Sequence, residues 1–258
     1  MSSNDGIGKT LFVAMALSLV CAIILSVAVV MLKPVQEANK ALDRKRNILA
    51  AAGMLVEGQS VEEQFARVQT RVVDLRTGRF ADEGVDIAKY DQRKAAKDPA
   101  RSDALAPEQD LGKIYRREQY SLVYLIQDDQ GAVEKLVLPI RGYGLWSTLY
   151  GFIALKSDTN TVVGIGFYEH GETPGLGGEI DNPKWKGIWP GKQVYRDGEV
   201  QLTVNKGTVD PTAANAAWQV DGLAGATLTS RGVTNLVHFW LGENGFEPFL
   251  NNFRAGEA

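Results

Sequence analysis

Residues 120–127 read YSLVYLIQ, and a second apolar run, Val133 to Ile140, follows after the polar segment Asp128-Asp129-Gln130-Gly131. Both runs are rich in β-branched, aromatic and aliphatic residues, which favour β-strands. A short polar segment that contains glycine is typical of the turn in a β-hairpin. The stretch therefore predicts two antiparallel strands at the centre of a sheet.

Further strands are predicted on the C-terminal side of this hairpin. They are Leu145 to Leu155 with Thr161 to Phe167, and a hairpin at Asp197-Gly198 with Val200 to Val204 on its far side. Thr229 to Leu241 then has the apolar spacing of a helix. Strands in the middle of a chain and helices at its ends are typical of the α+β class. We expect one domain over residues 113–258, with an antiparallel or mixed sheet flanked by helices.

The segment before this domain, residues 33–112, is predicted to be a helical spacer. Val35 to Ala52 has a helical apolar stripe that Gly53 ends. Ser60-Val61-Glu62-Glu63 is a capping box, and the apolar spacing behind it predicts an amphipathic helix that continues to Leu75. Lys89 to Asp103 has eight charged residues in fifteen. This charged segment is either a solvated surface or a docking surface for another subunit.

A short tail, residues 1–10, precedes an uncharged run of 22 residues, Leu11 to Leu32. A helix of that length rises about 33 Å, and a bilayer core is about 30 Å thick. We therefore expect one transmembrane helix that anchors the chain. Lys9 precedes the run, whereas five basic residues follow it between Lys33 and Arg46. The positive-inside rule by itself would place the C-terminal side in the cytoplasm.

Composition excludes several classes of function. The net charge of −3 and a pI near 5.6 argue against a nucleic-acid partner, which would need a basic face. Cys21 is the sole cysteine, so the chain by itself has no disulfide and no cysteine-ligated iron–sulfur centre. Two histidines without suitably spaced carboxylates do not predict a metal site. The sequence has no Gly-x-Gly-x-x-Gly after a strand, so NADH is not expected to bind here.

Two glycine-rich loops are the candidate sites. The first, Glu172 to Gly178, has glycines whose backbone groups could approach a flat ring, and Pro174 stiffens it. The second, Asp221 to Ser230, precedes the predicted helix and is rich in hydroxyl groups. From the residues alone, the first could equally be a surface turn. The second could equally be a loop in which Thr229 or Ser230 caps the helix.

Both loops resemble motifs of one known family. Asp221-Gly222-Leu223-Ala224-Gly225-Ala226-Thr227 is similar to the acceptor motif for covalent flavin, Asp-x-x-(Ser/Thr)-Gly-Ala-Thr, with Ala224 at the usual Ser/Thr position. The run from His170 to Gly177, His-Gly-Glu-Thr-Pro-Gly-Leu-Gly, resembles that of the C subunit of the sodium-translocating NADH:quinone reductase. The order of anchor, spacer, FMN-binding domain and acceptor motif is also that of this family.

The resemblance implies a covalent FMN joined through its phosphate to Thr227, which would be an attachment point and not a catalytic residue. It implies that Asp221 serves recognition by a flavin transferase. The other residues implied to contact the cofactor are Gly225, Ala226, Leu228 and Thr229 at the phosphate, and Glu172, Thr173, Gly175, Leu176 and Gly177 at the ring.

The function that the resemblance implies is that of an electron carrier in the bacterial inner membrane, with its domain in the periplasm. Its FMN would take electrons from a membrane iron–sulfur centre and pass them to the flavin of the B subunit. Its partners would be the other subunits of the complex and, during maturation, the flavin transferase. Two alternatives stay open: the G subunit of an Rnf-type ferredoxin:NAD complex, and a membrane-anchored scaffold without a redox role.

Overall fold

The computed structural model describes residues 6–81 and 84–258. The chain divides into a first unit that ends at Arg44 and a second, compact unit that comprises Lys45–Ala258. Helix α1, Ile7–Ala51, begins in the first unit and ends in the second. Its most apolar 18-residue window has a mean hydropathy of 2.9, with none of it buried, so the helix is long and apolar enough to cross a membrane. The predicted anchor and the first spacer helix are therefore parts of one helix, which contains Pro34.

The strands of the second unit are β1 (Val68–Asp74), β2 (Arg79–Phe80), β3 (Ser102–Ala104), β4 (Arg116–Glu118), β5 (Tyr120–Gln127), β6 (Val133–Tyr143), β7 (Thr148–Lys156), β8 (Val162–Glu169), β9 (Tyr195–Arg196), β10 (Glu199–Val200), β11 (Thr203–Val204) and β12 (Gln219–Val220). Six of them form an antiparallel sheet with the strand order β2-β1-β5-β6-β7-β8. The small sheets are the antiparallel pairs β3/β4 and β9/β10 and the parallel pair β11/β12.

Helices lie before, between and after these strands. They are α2 (Val61–Phe65), α3 (Gln92–Ala95), α4 (Pro183–Lys186), α5 (Thr227–Leu241) and α6 (Glu247–Ala255), together with 3₁₀ helices at Gly177–Asp181 and Ala216–Trp218. The predicted α+β class is confirmed, and so are the three predicted hairpins, β5/β6, β7/β8 and β9/β10.

The amphipathic helix predicted from the capping box to Leu75 is wrong beyond Phe65. Ser60 does cap α2, but residues 68–74 form β1, which pairs with β5 over seven residues. Val72 and Val73 are both 0% exposed. Since successive side chains of a strand point to opposite faces of the sheet, both faces of β1 are covered here. Residues 68–74 are rich in β-branched side chains, which favour a strand, and their backbone N–H and C=O groups form hydrogen bonds with β5. This tertiary pairing outweighs the helical spacing of the apolar residues.

Smaller differences concern element ends and the charged segment. Strand β7 begins at Thr148 and not at Leu145, and the predicted strand at Val200–Val204 is split between β10 and β11. The charged segment contains α3 and most of β3, and Ala95 and Ser102 are buried. It is therefore a packed part of the second unit and not only a solvated surface.

Helix α5 packs closely against the end of β6. A Cβ atom at Gly232 would lie 2.6 Å from the Tyr143 carbonyl oxygen, and one at Gly142 would lie 2.5 Å from Leu236 Cβ. Trp240, which is 0% exposed, donates its indole N–H to the Arg141 carbonyl at 2.6 Å. These contacts hold the middle and the last turn of α5 against the end of β6.

Candidate functional site

The two glycine-rich loops of the sequence meet in the structure. The first follows β8, and the second lies between β12 and α5. Gly225 in the second loop has φ of +69°, and a Cβ atom there would lie 3.1 Å from Leu176 Cδ2 of the first loop. The left-handed backbone and the close side chain together explain why glycine stands at this position.

Glu172 joins these loops to the connection between β6 and β7. One carboxylate oxygen, Oε1, accepts the backbone N–H groups of Leu145 at 3.0 Å, Trp146 at 2.9 Å and Ser147 at 3.3 Å. The other, Oε2, accepts the hydroxyl of Thr229 in the first turn of α5 at 2.6 Å. Glu172 is only 5% exposed, so one buried carboxylate holds three segments of the site together.

The environment of Glu172 favours its charged form. Burial raises the pKa of a carboxylate, but the hydrogen bonds from Thr229 and from the three backbone amides outweigh burial and lower the pKa of Glu172 below its usual value. A Cβ atom at Gly177 would lie 2.5 Å from Thr229 Oγ1 and 2.7 Å from Glu172 Oε2. The glycine at 177 therefore makes room for the bond between Glu172 and Thr229.

His170 helps to fix the first loop. Its Nδ1 accepts the Glu172 backbone N–H at 3.2 Å, so Nε2 carries the proton in the neutral ring and donates to Asp181 Oδ2 at 2.8 Å. His238 packs in the domain, with its Nε2 at 3.0 Å from the Leu202 carbonyl oxygen. Burial lowers the pKa of His238, which favours its neutral form.

Thr227 is the first residue of α5, two residues before the predicted helix start, and it is exposed to solvent. Within the described part of the chain, no side chain caps this helix and no acidic residue lies in its first turn. The amides of residues 227–229 have no hydrogen-bond acceptor among the described residues. An uncapped helix N-terminus with free N–H groups suits a phosphate, because the helix dipole and the amides both favour negative charge.

The remaining predicted site residues differ in their exposure to solvent. Leu176, Leu228 and Thr173 are exposed, whereas Ala226, Gly177 and Thr229 are buried. Asp221 is partly buried: its Oδ1 accepts the Val209 N–H at 2.8 Å, and its carbonyl accepts the Trp185 indole N–H at 2.8 Å.

Two tryptophans lie in α4 and shortly after it, Trp185 and Trp189. Both are buried, at 7% and 0% exposure, and their rings contact each other edge to face at 5.4 Å. They belong to the core of the domain.

Two aromatic residues at the β6–β7 connection, Tyr143 and Trp146, have no role predicted from the sequence. Trp146 is 66% exposed and Tyr143 is 40% exposed, although the Trp146 backbone is fixed by Glu172. Exposed aromatic side chains on a fixed backbone are typical of a binding surface. Their signal in the sequence was the pattern of two glycines beside two aromatic residues in Arg141-Gly142-Tyr143-Gly144-Leu145-Trp146.

Comparison with known proteins identifies the family. Residues 144–242 match the family model described as FMN-binding domain. The chain is 54% identical over 263 residues to the C subunit of the Na(+)-translocating NADH-quinone reductase of Pseudomonas aeruginosa, with all of both chains covered. It is 48% identical over 258 residues to the protein of that name from Vibrio alginolyticus, covering 99% of this chain and 98% of the relative.

The chain belongs to the NqrC family, the C subunits of the Na(+)-translocating NADH-quinone reductase. The crystal structure of Shewanella oneidensis NqrC matches the fold with a TM-score of 0.78 and 36% identity, covering 84% of this chain and 99% of that one. The crystal structure of the C subunit from Parabacteroides distasonis matches with a TM-score of 0.64 and 29% identity, covering 85% and 96%.

Membership in the NqrC family confirms the predicted family and favours it over the Rnf-type alternative. The match to the FMN-binding domain confirms FMN as the cofactor and argues against a scaffold without a redox role. All the predicted site residues, from Glu172 to Thr229, lie within the matched residues 144–242. Their individual roles stay predictions.

Proposed function

We propose that this chain is the FMN-carrying electron-transfer subunit of a membrane complex that couples NADH:quinone oxidoreduction to Na⁺ export. The single observation that carries the proposal is the exposed Thr227 hydroxyl on an uncapped helix N-terminus, beside a glycine-rich loop of an FMN-binding domain. The FMN is joined by a phosphoester bond between its phosphate and Thr227 Oγ1. The Oγ1–H bond would be replaced by an Oγ1–P bond as the phosphate of the flavin donor loses the group it carried, so the net added mass is that of FMN less one water.

The residues around Thr227 fit such a group. The free amides of residues 227–229 would donate hydrogen bonds to the phosphate oxygens, and the absence of acidic residues from the first turn of α5, within the described chain, avoids repulsion. Leu176 and Leu228, which are 44% and 52% exposed, offer apolar surface to the ring. When bound, FMN supplies electron-transfer chemistry that no side chain of this protein provides.

Glu172 acts on the site by positioning other groups. Its oxygens accept four hydrogen bonds from protein donors, so it holds the first turn of α5 and the β6–β7 connection in place. The predicted contacts of Thr173, Gly175 and Gly177 with the ring belong to the same proposal. The carboxylate of Asp221 accepts the Val209 N–H and so fixes the start of the second loop. We propose that Asp221 presents this loop to the flavin transferase.

The proposal places the second unit in the periplasm, anchored by one membrane helix. The basic residues after the span favour the opposite orientation, but the rule weakens where a long domain follows the span. An exported transferase can reach Thr227 only if the domain is exported too. In the complex, the domain would hold its FMN where that group could relay electrons between a membrane iron–sulfur centre and the flavin of the B subunit. Residues 113–258 are proposed to hold the whole flavin site.

The test is fluorescence of the denatured protein in a gel, followed by intact mass, after co-expression with a flavin transferase. We expect a fluorescent band with the added mass of FMN less one water. Thr227→Val should give a folded, dark protein, whereas Thr229→Val should keep the flavin. The band should disappear when the transferase lacks its export signal, because the acceptor and the enzyme would then lie on opposite sides of the membrane.

Three results would contradict parts of the proposal. A fluorescent Thr227→Val protein beside a dark Thr229→Val protein would move the attachment to residue 229. A dark, unmodified wild-type protein would mean that Ala224 breaks the acceptor motif or that the chain carries no covalent flavin. Full labelling by a cytoplasmic transferase would reverse the proposed orientation.

A further inference from the structure

A pocket of about 420 Å³ is lined in part by Tyr143 and Thr148, which flank the β6–β7 connection, and it is strongly basic. Five basic side chains line it, and no acidic residue of the described chain does: Arg93, Lys97, Lys113, Arg116 and Arg141. We call it the basic pocket. Nothing in the proposed attachment of FMN uses these residues.

Two of the five charges are neutralised within the protein. Arg93 makes a two-pronged ion pair with Glu169 at 2.6 and 2.7 Å, and Arg141 pairs with the buried Glu118 at 2.7 Å. The other three have no carboxylate partner among the described residues; Arg116 donates to the hydroxyl and carbonyl oxygens of Ser102. The basic pocket therefore has about three uncompensated positive charges close together, which favours an anionic group.

The loop at one side of the basic pocket is held in a strained conformation. Lys113 and Tyr115 have φ of +51° and +62°, a left-handed backbone that such residues rarely adopt. The Asp110 carboxylate fixes it by accepting the N–H groups of Ile114 at 2.8 Å and Tyr115 at 2.7 Å. Despite this fixed backbone, the Tyr115 side chain is 74% exposed, so the strain does not serve packing of the ring. Strain of this kind persists only where the surrounding structure enforces it, and it clusters at functional sites.

The basic pocket adjoins the flavin site through one short segment. Tyr143 lines the pocket, and its carbonyl oxygen would contact any side chain at Gly232 in α5. Three residues further on, the Trp146 N–H is bound by Glu172. A group seated in the basic pocket would therefore contact the connection that Glu172 ties to the first turn of α5.

We propose that the basic pocket is a docking site for a carboxylate-bearing segment of another subunit of the complex. The inference rests on the proposed function, which makes this chain one of several subunits. Exposed tyrosine and arginine side chains are the usual anchors of protein interfaces, and unpaired lysines orient an acidic partner. A free nucleotide is less well matched, because the pocket is wide open at Tyr115 and the proposed location of the domain is outside the cytoplasm.

The experiment uses the complete complex, purified through a tag on another subunit. Lys97→Glu and Lys113→Glu reverse exposed charges of the basic pocket, and Lys156→Glu, at the far end of β7, is the matched control. The readouts are the fluorescence of the covalent flavin of this chain retained in the complex at rising salt, and the rate at which NADH reduces that flavin. We expect each pocket variant to lower retention or rate by about tenfold, with Lys156→Glu unchanged.

The flavin content of the total membrane separates the docking proposal from the proposed attachment of FMN. If it stays at the wild-type level in all variants, the proposed attachment stands, and only docking is being measured. Wild-type retention and rate in both pocket variants would overturn the docking proposal. So would a lysine-dependent binding of ADP or inorganic phosphate to the intact complex without any change in retention, because the pocket would then hold a free anion.

A second variant tests the same loop without a charge change. Asparagine tolerates the left-handed conformation better than tyrosine, so Tyr115→Asn should leave the melting temperature unchanged or higher. Docking predicts that retention nevertheless falls. A lower melting temperature with normal retention would show that Tyr115 serves only the fold, and would contradict its role as an anchor.

Discussion

At the scale of single residues, the role that Glu172 has in the structure differs from the role predicted from its motif. The sequence placed it among the residues that contact the flavin ring. In the structure its two oxygens accept four hydrogen bonds from the protein, and its contact with the cofactor stays a prediction. The sequence identified the residue, but its donors lie 25 to 57 positions away along the chain, which only folding brings together.

Replacement of Glu172 should destabilise the domain. Glu172→Ala leaves three backbone amides and the Thr229 hydroxyl without their acceptor, and we expect a loss of about 3 kcal/mol in the free energy of unfolding. Glu172→Gln keeps the shape and one acceptor oxygen, so its loss should be about 1–2 kcal/mol. Urea unfolding of the domain measures both, and an alanine variant as stable as wild type would show that water replaces the carboxylate.

The same residue should make stability depend on pH. The pKa of Glu172 is lower in the folded protein than its ordinary value of 4.5, so folding favours the charged form. Its contribution is present above about pH 4.5 and is lost as the pH falls through the lower, folded pKa. Glu172→Gln should therefore show a weaker decline in stability than wild type below about pH 5. Parallel curves for the two proteins would assign the acid sensitivity to other carboxylates.

At the scale of elements, the packing of α5 on β6 depends on Gly232, because this residue has no side chain. Alanine at position 232 would favour the helix by about 1 kcal/mol, but its Cβ would lie 2.6 Å from the Tyr143 carbonyl oxygen and 3.0 Å from Gly144 Cα. Overpacking of this kind costs about 1–3 kcal/mol. The conflict is between local helix propensity and the space available against the sheet.

We expect Gly232→Ala to lower the stability of the domain and to reduce covalent flavin, since it moves the first turn of α5 away from Glu172. Gly166→Ala is the control, because a Cβ atom there would have no atom within 4 Å. Thermal melting and gel fluorescence measure the two effects. An unchanged Gly232→Ala protein would show that α5 shifts without disturbing the acceptor.

At the scale of the whole molecule, the compact unit is larger than the predicted FMN-binding domain. It begins at Lys45, inside the predicted spacer, and it includes β1, whose seven residues pair with β5. Removing residues before 113 would expose the edge of β5 and the side chains that Val72 and Val73 cover.

Two truncations should therefore behave differently. A chain of residues 45–258 should be soluble and folded without detergent, because it has the whole sheet and lacks the uncovered apolar helix. A chain of residues 113–258 should aggregate or unfold. Circular dichroism and gel filtration of both distinguish the outcomes, and a well-folded 113–258 protein would restore the boundary predicted from the sequence.

The sequence by itself determined the membrane-length apolar helix, the α+β class, the three hairpins and the two loops of the site, because each depends on residues close together in the chain. The tertiary structure decided the rest. It made residues 68–74 a strand, because β5 supplies hydrogen bonds that local spacing does not reveal. It also brought Glu172, Thr229 and the β6–β7 connection together around one buried carboxylate, because such a charge is stable only when distant donors converge on it.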